Sequence, residues 1–302
     1  MTIRVEFRDF WGGRWGAEDS EQALILRTLE QFDDVVVATP ANLLVLSESG
    51  RSNRGFVGTK LFVTPEATVP DFTHADYALT ARFVPDRRAF RLPQYAHALP
   101  PGLRPEPESA VRDELAQKRR EFCCTVVSNP DQPVRDAFLR LLGRLRPVAS
   151  LGSHLRTSEE LGPWNPATWR AEKVAALARY KFVLCFENRC APGYTTEKIV
   201  DAFAAGAVPV YWGNPYVDLD FNPERIVDVH RLGMAGAISR MLEVDADDDL
   251  YVHMRSAPLY PLGADEPPAL DGLAAFLGGV VADLEPTRQQ RVRALKEHLV
   301  SR

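Results

Sequence analysis

Short apolar runs separated by turn residues fill the first third of the chain. Four runs have strand length: VVVATP, NLLVLS, KLFVTP and YALTARF, at residues 35–40, 42–47, 60–65 and 77–83. Residues 23–32 carry apolar side chains at helical spacing and predict a helix before the first of these strands. Strands combined with a helix in this way predict an open α/β layer.

A second alternation of strands and helices follows further along. The run EFCCTVVSN at 121–129 predicts a strand, residues 134–145 have helical spacing, and residues 167–180 predict another helix. A strand and a Gly-containing turn lie between these helices. Because strands alternate with helices, we expect a second α/β unit with a mostly parallel sheet.

A stretch rich in proline and charge separates the two patterns, at residues 99–117. Such composition is typical of a domain boundary. We therefore predict a first domain at 1–117, a second at 118–268, and a helical tail at 269–302 that is divided by Pro286.

The segment from 181 to 213 has the clearest local pattern. KFVLCFE, residues 181–187, is a continuous apolar run of the kind buried on both faces of a parallel sheet. Thr196 is predicted to cap a helix that ends at Gly206, and AVPVYWG forms the next strand. This is a βαβ unit, so its first loop, NRCAPGYT, is expected at the carboxyl edge of the sheet.

That edge is where open α/β sheets bind ligands, and a helix N-terminus there offers free N–H groups to a phosphate. Lys198 adds a positive charge, and Glu197 a carboxylate suited to ribose hydroxyls. The same three residues, Thr196 to Lys198, also fit an ordinary helix start with no ligand. The pattern alone leaves both interpretations open.

Composition excludes several classes of protein. With 302 residues, 45% hydrophobic and 25% charged, the chain is that of a globular protein of about two domains. A formal charge of -5 argues against a general nucleic-acid binder. The four cysteines and six histidines have no metal-ligand spacing, so we expect reduced thiols and no metal site. The acidic runs at 218–220 and 245–249 are interpreted as solvated turns.

Both ends of the chain bear on its location. No run approaches the ~20 apolar residues of a membrane-spanning helix, and the first residues lack the apolar core of a signal peptide, so we expect a cytoplasmic protein. The tail groups four basic residues, Arg288, Arg291, Arg293 and Lys296. Two interpretations stand: a weak peripheral contact with acidic lipid at the inner membrane, or a solvated helix.

The residues around the predicted loop carry a family resemblance. Cys185-Phe-Glu-Asn188, Tyr194, Thr196-Glu-Lys198, Gly206-x-Val-Pro-Val210 and Gly213-Asn-Pro215 together resemble the signature of glycosyltransferase family 10, the α-1,3-fucosyltransferases, in its bacterial form. Asp220-Phe-Asn-Pro223 is similar to a further family segment. Arg189 departs from the pattern, since the family usually has Ser there.

The resemblance extends to the first domain. Phe62-Val-Thr-Pro-Glu66 with Pro70-Asp-Phe72 resembles the family segment that contains the general base, which falls on Glu66. The family architecture is GT-B: two facing Rossmann-like domains with an inter-domain cleft. This implied architecture agrees with the two α/β patterns.

Membership would imply transfer of L-fucose from GDP-fucose to a glycan hydroxyl in an α-1,3 linkage, with an N-acetyllactosamine-like acceptor, inversion at the anomeric carbon and no metal or other cofactor. The resemblance then implies a role for each matching residue. Glu66 would be the general base, and Trp11 an acceptor contact, with a core tryptophan as the competing interpretation. The implied donor-binding residues are Asn188, Tyr194, Glu197, Lys198 and Arg156.

The same residues leave other functions open. A GT-B transferase that uses another GDP-hexose would need the same phosphate-binding residues. A non-catalytic glycan- or nucleotide-binding protein would have no need of Glu66, Glu197 and Lys198 together, so it ranks lower. A Rossmann dehydrogenase is disfavoured because no GxGxxG follows a predicted strand.

Overall fold

The computed structural model describes residues 2–10, 20–48, 55–100, 102–117, 120–163, 165, 167–261, 264 and 266–284. Trp11 and the basic tail residues from 287 onward, predicted as an acceptor contact and a membrane contact, lie outside these residues. Within the described part of the chain, no helix is long and apolar enough to cross a membrane. The backbone divides into two compact units, one containing the described residues up to His97 and from Ala269 onward, the other those within Ala98–Pro268.

The first unit is built on a six-stranded parallel sheet in the order β2-β1-β3-β4-β5-β6. Its elements are β1 (Ile3–Arg8), α1 (Glu21–Leu29), β2 (Val35–Val37), β3 (Leu43–Leu46), β4 (Thr59–Thr64), β5 (Tyr77–Thr80), β6 (Ala89–Arg91), α2 (Gln94–Ala98) and, from the end of the chain, a helix at Leu273–Ala282. The four predicted strands are confirmed as β2 to β5. The strands β1 and β6 are additional.

The second unit is built on a five-stranded parallel sheet in the order β11-β10-β9-β7-β8. Its elements are α3 (Glu108–Gln117), β7 (Glu121–Thr125), α4 (Pro133–Leu142), β8 (Val148–Ser150), α5 (Trp169–Leu177), β9 (Tyr180–Phe186), α6 (Lys198–Ala204), β10 (Val208–Trp212), β11 (Val227–Asp228), α7 (Val229–Ala246) and α8 (Asp248–Ser256). The last helix, Leu273–Ala282, is α9 and belongs to the first unit. The predicted α/β class is confirmed in both units.

The stretch predicted as a domain boundary, residues 99–117, contains a helix. Val111 on α3 is fully buried, and α3 packs against α8 within the second unit. Periodicity was hidden there because Pro and charged residues outnumber apolar ones around a single buried position.

Strand β9 forms the centre of the second core. All seven of its residues are buried, as expected for a strand covered on both faces. Phe186 at its end lies 5.1 Å from the ring of Phe138 on α4 and 6.1 Å from that of Trp212 on β10, measured between ring centroids. These rings hold the end of the sheet against its covering helix and so fix where the following loop starts.

Parallel pairing places two loops at one edge. Phe186 and Trp212 are register partners at the carboxyl ends of β9 and β10, and the Glu187 N–H donates to the Trp212 carbonyl over 2.8 Å. The segments that follow, 187–197 and 213–223, therefore leave the sheet side by side. They contain most of the residues that the sequence pattern singled out.

Candidate functional site

The helix start differs from the predicted capping arrangement. Helix α6 begins at Lys198, its N-cap residue is Glu197, and the Glu197 side chain makes no capping hydrogen bond. Thr196 was predicted as the cap, and this was wrong. Its hydroxyl and its N–H instead donate to Glu187. The acceptor is the buried carboxylate of Glu187, just after the end of β9. A hydrogen bond to a charged carboxylate is stronger than one between a hydroxyl and the N–H groups of the helix terminus.

Glu187 holds this part of the loop together. Its side chain has no exposed surface, and its Oε1 accepts from Thr196 N over 2.7 Å. Its Oε2 accepts from Thr196 Oγ1 over 2.7 Å and from Lys198 Nζ over 2.9 Å. Lys198 Nζ also donates to Thr196 Oγ1 over 2.9 Å. The result is a closed triangle of hydrogen bonds at the carboxyl edge of the sheet.

The charges of the loop stabilise one another. Burial alone would lower the pKa of Lys198, but the carboxylates of Glu187 and Glu197 outweigh it and raise that pKa above its ordinary value. Burial would raise the pKa of Glu197, yet the ammonium groups of Lys173 and Lys198 lower it to about 2. Both groups are therefore charged at neutral pH.

Helix α5 supplies the surrounding charges. Lys173 Nζ lies 3.4 Å from Glu197 Oε1 and 2.8 Å from Asp201 Oδ2, and Arg170 Nε lies 3.0 Å from Asp201 Oδ1. Asp201 is in the first turn of α6 and is fully buried. These ion pairs join α5 to α6 and leave the local charges nearly balanced before any ligand is considered.

A second buried network holds the middle of the loop. Asn214 accepts from Gly193 N over 2.7 Å and donates to Thr195 Oγ1 over 3.2 Å and to Asp220 Oδ2 over 3.4 Å. The Tyr211 hydroxyl donates to the Tyr194 carbonyl over 3.2 Å and accepts from Asn214 N over 3.0 Å. Asp220 is fully buried, so its interpretation as a solvated acidic residue was wrong. Amide and carboxylate side chains replace the backbone bonds that a loop lacks.

Asn188 and Tyr194, both predicted donor contacts, occupy different environments. The Asn188 carbonyl accepts from Gln132 Nε2 over 3.1 Å, which ties the loop to the start of α4. The side chain of Asn188 is half-buried, whereas Tyr194 is 1% exposed. Their predicted donor contacts remain predictions.

Arg156, the fifth predicted donor residue, lies in the loop after β8. Its Nε donates to the Ser158 carbonyl over 3.0 Å, its Nη2 to the Leu161 carbonyl over 2.7 Å, and it pairs with Glu159 at 2.8 Å. The loop is shaped by Gly152, because a Cβ there would lie 2.1 Å from the Val127 carbonyl oxygen. Arg156 is thus bound to its own loop, and its role towards a donor stays a prediction.

Glu66, the predicted base, lies in the first unit just beyond the carboxyl end of β4. Its side chain is exposed, and its N–H donates to Thr64 Oγ1 over 3.1 Å. The Thr64 hydroxyl in turn donates to the carboxylate of Glu48, which follows β3. Thr64 therefore bonds the Glu48 carboxylate and the Glu66 backbone at the carboxyl edge of this sheet.

Sequence reasoning missed the network formed by Thr195, Tyr211, Asn214 and Asp220, and assigned no role to Glu187. A signal was available: Asn214 and Asp220 belong to the Gly213-Asn-Pro215 and Asp220-Phe-Asn-Pro223 segments already noted. Their polar side chains follow a buried strand, where an unpaired group would be costly. Among the described residues, no group of three His, Cys, Asp or Glu side chains could hold a metal ion.

The fold has close counterparts among solved structures. "Crystal Structure of alpha1,3-Fucosyltransferase with GDP-fucose" is 25% identical with a TM-score of 0.72, covering 95% of this chain and 91% of that chain. "Crystal Structure of alpha1,3-Fucosyltransferase" is also 25% identical, with a TM-score of 0.73. Two parallel α/β units of this type place the protein in the GT-B fold class of glycosyltransferases, as predicted.

Two family models match consecutive parts of the chain. Residues 5–97 match "Alpha-(1,3)-fucosyltransferase FucT N-terminal domain", and residues 116–255 match "Glycosyltransferase family 10 (fucosyltransferase) C-term". The chain belongs to glycosyltransferase family 10, the fucosyltransferase family.

Curated relatives match this chain in sequence over shorter stretches. "Alpha-(1,3)-fucosyltransferase FucT" of Helicobacter pylori is 43% identical over 122 residues, which is 40% of this chain and 24% of the relative. "GDP-fucose protein O-fucosyltransferase 3" of Homo sapiens is 30% identical over 207 residues, which is 64% of this chain and 40% of the relative. The match thus spans between a quarter and two fifths of these relatives' lengths.

Proposed function

We propose that the protein transfers L-fucose from GDP-fucose to a hydroxyl of a glycan, with inversion at the anomeric carbon and an α-1,3 linkage. The observation that carries this proposal is the Glu187–Thr196–Lys198 triangle at the carboxyl edge of the second sheet. It places an ammonium group at the start of a helix, where a diphosphate is favoured by charge. The relatives and solved structures that use or bind GDP-fucose supply the identity of the donor.

The first requirement of the reaction is a cation for the leaving group. As the bond between the sugar and the β-phosphate breaks, negative charge accumulates on GDP. Lys198 is held in position and protonated by its neighbours, so it need not reorganise as that charge develops. Glu197, charged at neutral pH, is the acceptor we assign to the ribose hydroxyls.

The second requirement is a base for the attacking hydroxyl. An exposed carboxylate just beyond the end of a strand can take that proton, and we assign this role to Glu66. Proton transfer to Glu66 and charge stabilisation by Lys198 together complete an inverting displacement. No step in this scheme calls for a metal ion.

Purified protein should therefore convert GDP-fucose and an N-acetyllactosamine-type acceptor to a fucosylated product and GDP, detected by mass spectrometry. Activity should persist in EDTA. Loss of activity in EDTA with recovery in manganese would contradict the metal-free scheme, and no product over a broad glycan panel would contradict a glycan acceptor.

Glu48 provides a matched control for the base. Glu66→Gln should retain GDP binding while its turnover falls by ~100-fold or more, the contribution typical of general base catalysis. Glu48→Gln removes a carboxylate near the same threonine and should lose far less turnover. The reverse order of the two variants would move the base to Glu48.

A protein hydroxyl is the second candidate acceptor. It is favoured by the relatives named as protein O-fucosyltransferases, which align with nearly two thirds of this chain. Including folded protein acceptors beside the glycans in the same assay separates the two. Another GDP-hexose as donor is tested by competition among GDP-sugars in that reaction.

A further inference from the structure

We infer that Glu187 is a positioning residue for the proposed reaction: its buried carboxylate aims the Lys198 ammonium and keeps it charged, so that one remaining N–H of Lys198 is directed to the diphosphate. The inference rests on the proposed function for the identity of the diphosphate. It rests on this chain's own contacts for everything else.

The geometry of the triangle leaves one donor of Lys198 for a ligand. An ammonium has three protons. The described contacts use two of them, at 2.9 Å to Glu187 Oε2 and 2.9 Å to Thr196 Oγ1. With two directions fixed, tetrahedral geometry fixes the third. The Lys198 side chain is 19% exposed, so part of it can be reached from solvent.

The position of Glu187 is costly for the fold. A fully buried carboxylate loses its hydration, a penalty of several kcal/mol before its partners compensate. Position 213, in the adjacent loop, must also lack a side chain: a Cβ at Gly213 would lie 2.3 Å from Glu187 Cγ and 2.7 Å from Glu187 Cβ. A neutral side chain of the same shape would avoid the first cost. We infer that the charge itself serves Lys198.

A purely structural role would need only the hydrogen bonds to Thr196, whereas the positioning role needs the negative charge. Groups facing Lys198 are Cys185 on β9, Glu187 just after that strand, Glu197 beside it, and Lys173 from α5. Cys185 Sγ lies 3.3 Å from the Lys198 carbonyl oxygen. Burial lowers the pKa of Lys198 while Glu187 and Glu197 raise it, so removing the charge of Glu187 should lower that pKa.

The direct test is a titration of the Lys198 side chain by ¹³Cε-lysine NMR in the unaltered protein and in Glu187→Gln. We expect the Lys198 pKa to fall by about one unit or more in the variant, which corresponds to a tenfold change in the protonation equilibrium. Tyr211→Phe, which perturbs the neighbouring buried network without touching Lys198, should leave this titration in place. An unchanged titration in Glu187→Gln would overturn the inference.

Nucleotide binding gives the functional readout. The Kd for GDP should begin to rise at a lower pH in Glu187→Gln than in the unaltered protein, by the same interval as the Lys198 titration shifts, because each protein loses affinity as Lys198 loses its charge. Equal pH dependence in the two proteins would contradict the inference.

Glu187→Asp keeps the charge with a shorter reach and serves as the conservative rescue. Its Lys198 titration should stay near that of the unaltered protein even where its stability is reduced. If Glu187→Asp shifts the titration as far as Glu187→Gln, the charge has no special role and the inference fails. The NMR titration requires no nucleotide, so failure of GDP to bind the unaltered protein would contradict the proposed function alone.

Discussion

Gly213 is the residue whose substitution tests the loop architecture most sharply. Alanine there would bring its Cβ to 2.3 Å from Glu187 Cγ and 3.1 Å from the Tyr211 hydroxyl oxygen. Carbon atoms in contact prefer about 3.5–4.0 Å, so Glu187 must move by more than ~1 Å. Overpacking of this kind costs ~1–3 kcal/mol.

The displaced side chain is the one that holds Lys198. Losing a hydrogen bond to a charged group costs ~1.5–3 kcal/mol, which corresponds to a roughly 10- to 150-fold weaker binding of GDP if Lys198 is no longer aimed. Gly213→Ala should therefore lower both the thermal unfolding midpoint and the affinity for GDP, measured by calorimetry. Displacement of the Glu187 side chain causes both losses.

Gly162 provides the control, since a Cβ there would meet no atom within 4 Å. Gly162→Ala should behave as the unaltered protein in both measurements. The reasoning would be refuted if Gly213→Ala matched Gly162→Ala, or if it lost stability while binding GDP with unchanged affinity.

Three further predictions concern the same loop. Lys198→Ala should lower kcat by ~100- to 1000-fold, equivalent to ~3–4 kcal/mol, with an unchanged circular dichroism spectrum, and a loss below tenfold in steady-state assays would contradict its role. Asn214→Ala removes four hydrogen bonds of 2.7–3.4 Å and should cost ~1–3 kcal/mol in denaturant unfolding; a cost below ~0.5 kcal/mol would show that the network is dispensable. Because the pKa of Glu197 is lowered to about 2, its stabilisation is present above its ordinary pKa of about 4.3 and is lost as pH falls towards 2. The stability difference between the unaltered protein and Glu197→Gln should shrink over that range, and a constant difference would refute this assignment.

Local pattern predicted the central βαβ unit well because burial on two faces leaves a strong signal. Every residue of β9 is buried, and Gly206 has the positive φ of 62° expected just past the end of a helix. Both features depend on a few neighbouring residues. They are therefore readable from a short stretch of sequence.

Features that depend on distant residues were not readable. Thr196 has the right type and place for a cap, yet Glu187, nine residues earlier, takes both of its donors. Asp220 looks like a surface acid until Thr195 from the neighbouring loop and Asn214 from its own loop bond to it. In both cases tertiary contacts determine the environment of the residue. Single-sequence propensities contain no information on such contacts.

Strand β1 was missed for a different reason. Ile3, Val5 and Phe7 are buried while the residues between them are charged, a short alternation easily taken for a polar terminus. Only its pairing on both sides, with β2 and β3, makes it a central strand.

A comparison of two donors tests whether Lys198 belongs to a GDP-fucose site. Binding of GDP-fucose and of GDP-mannose is compared by calorimetry in the unaltered protein and in Lys198→Ala, without acceptor or metal. We expect GDP-fucose to bind more tightly than GDP-mannose and Lys198→Ala to weaken both by ~10-fold or more, as loss of a charge-assisted hydrogen bond requires. Binding of neither nucleotide sugar, or affinities unaffected by removal of Lys198, would contradict that expectation.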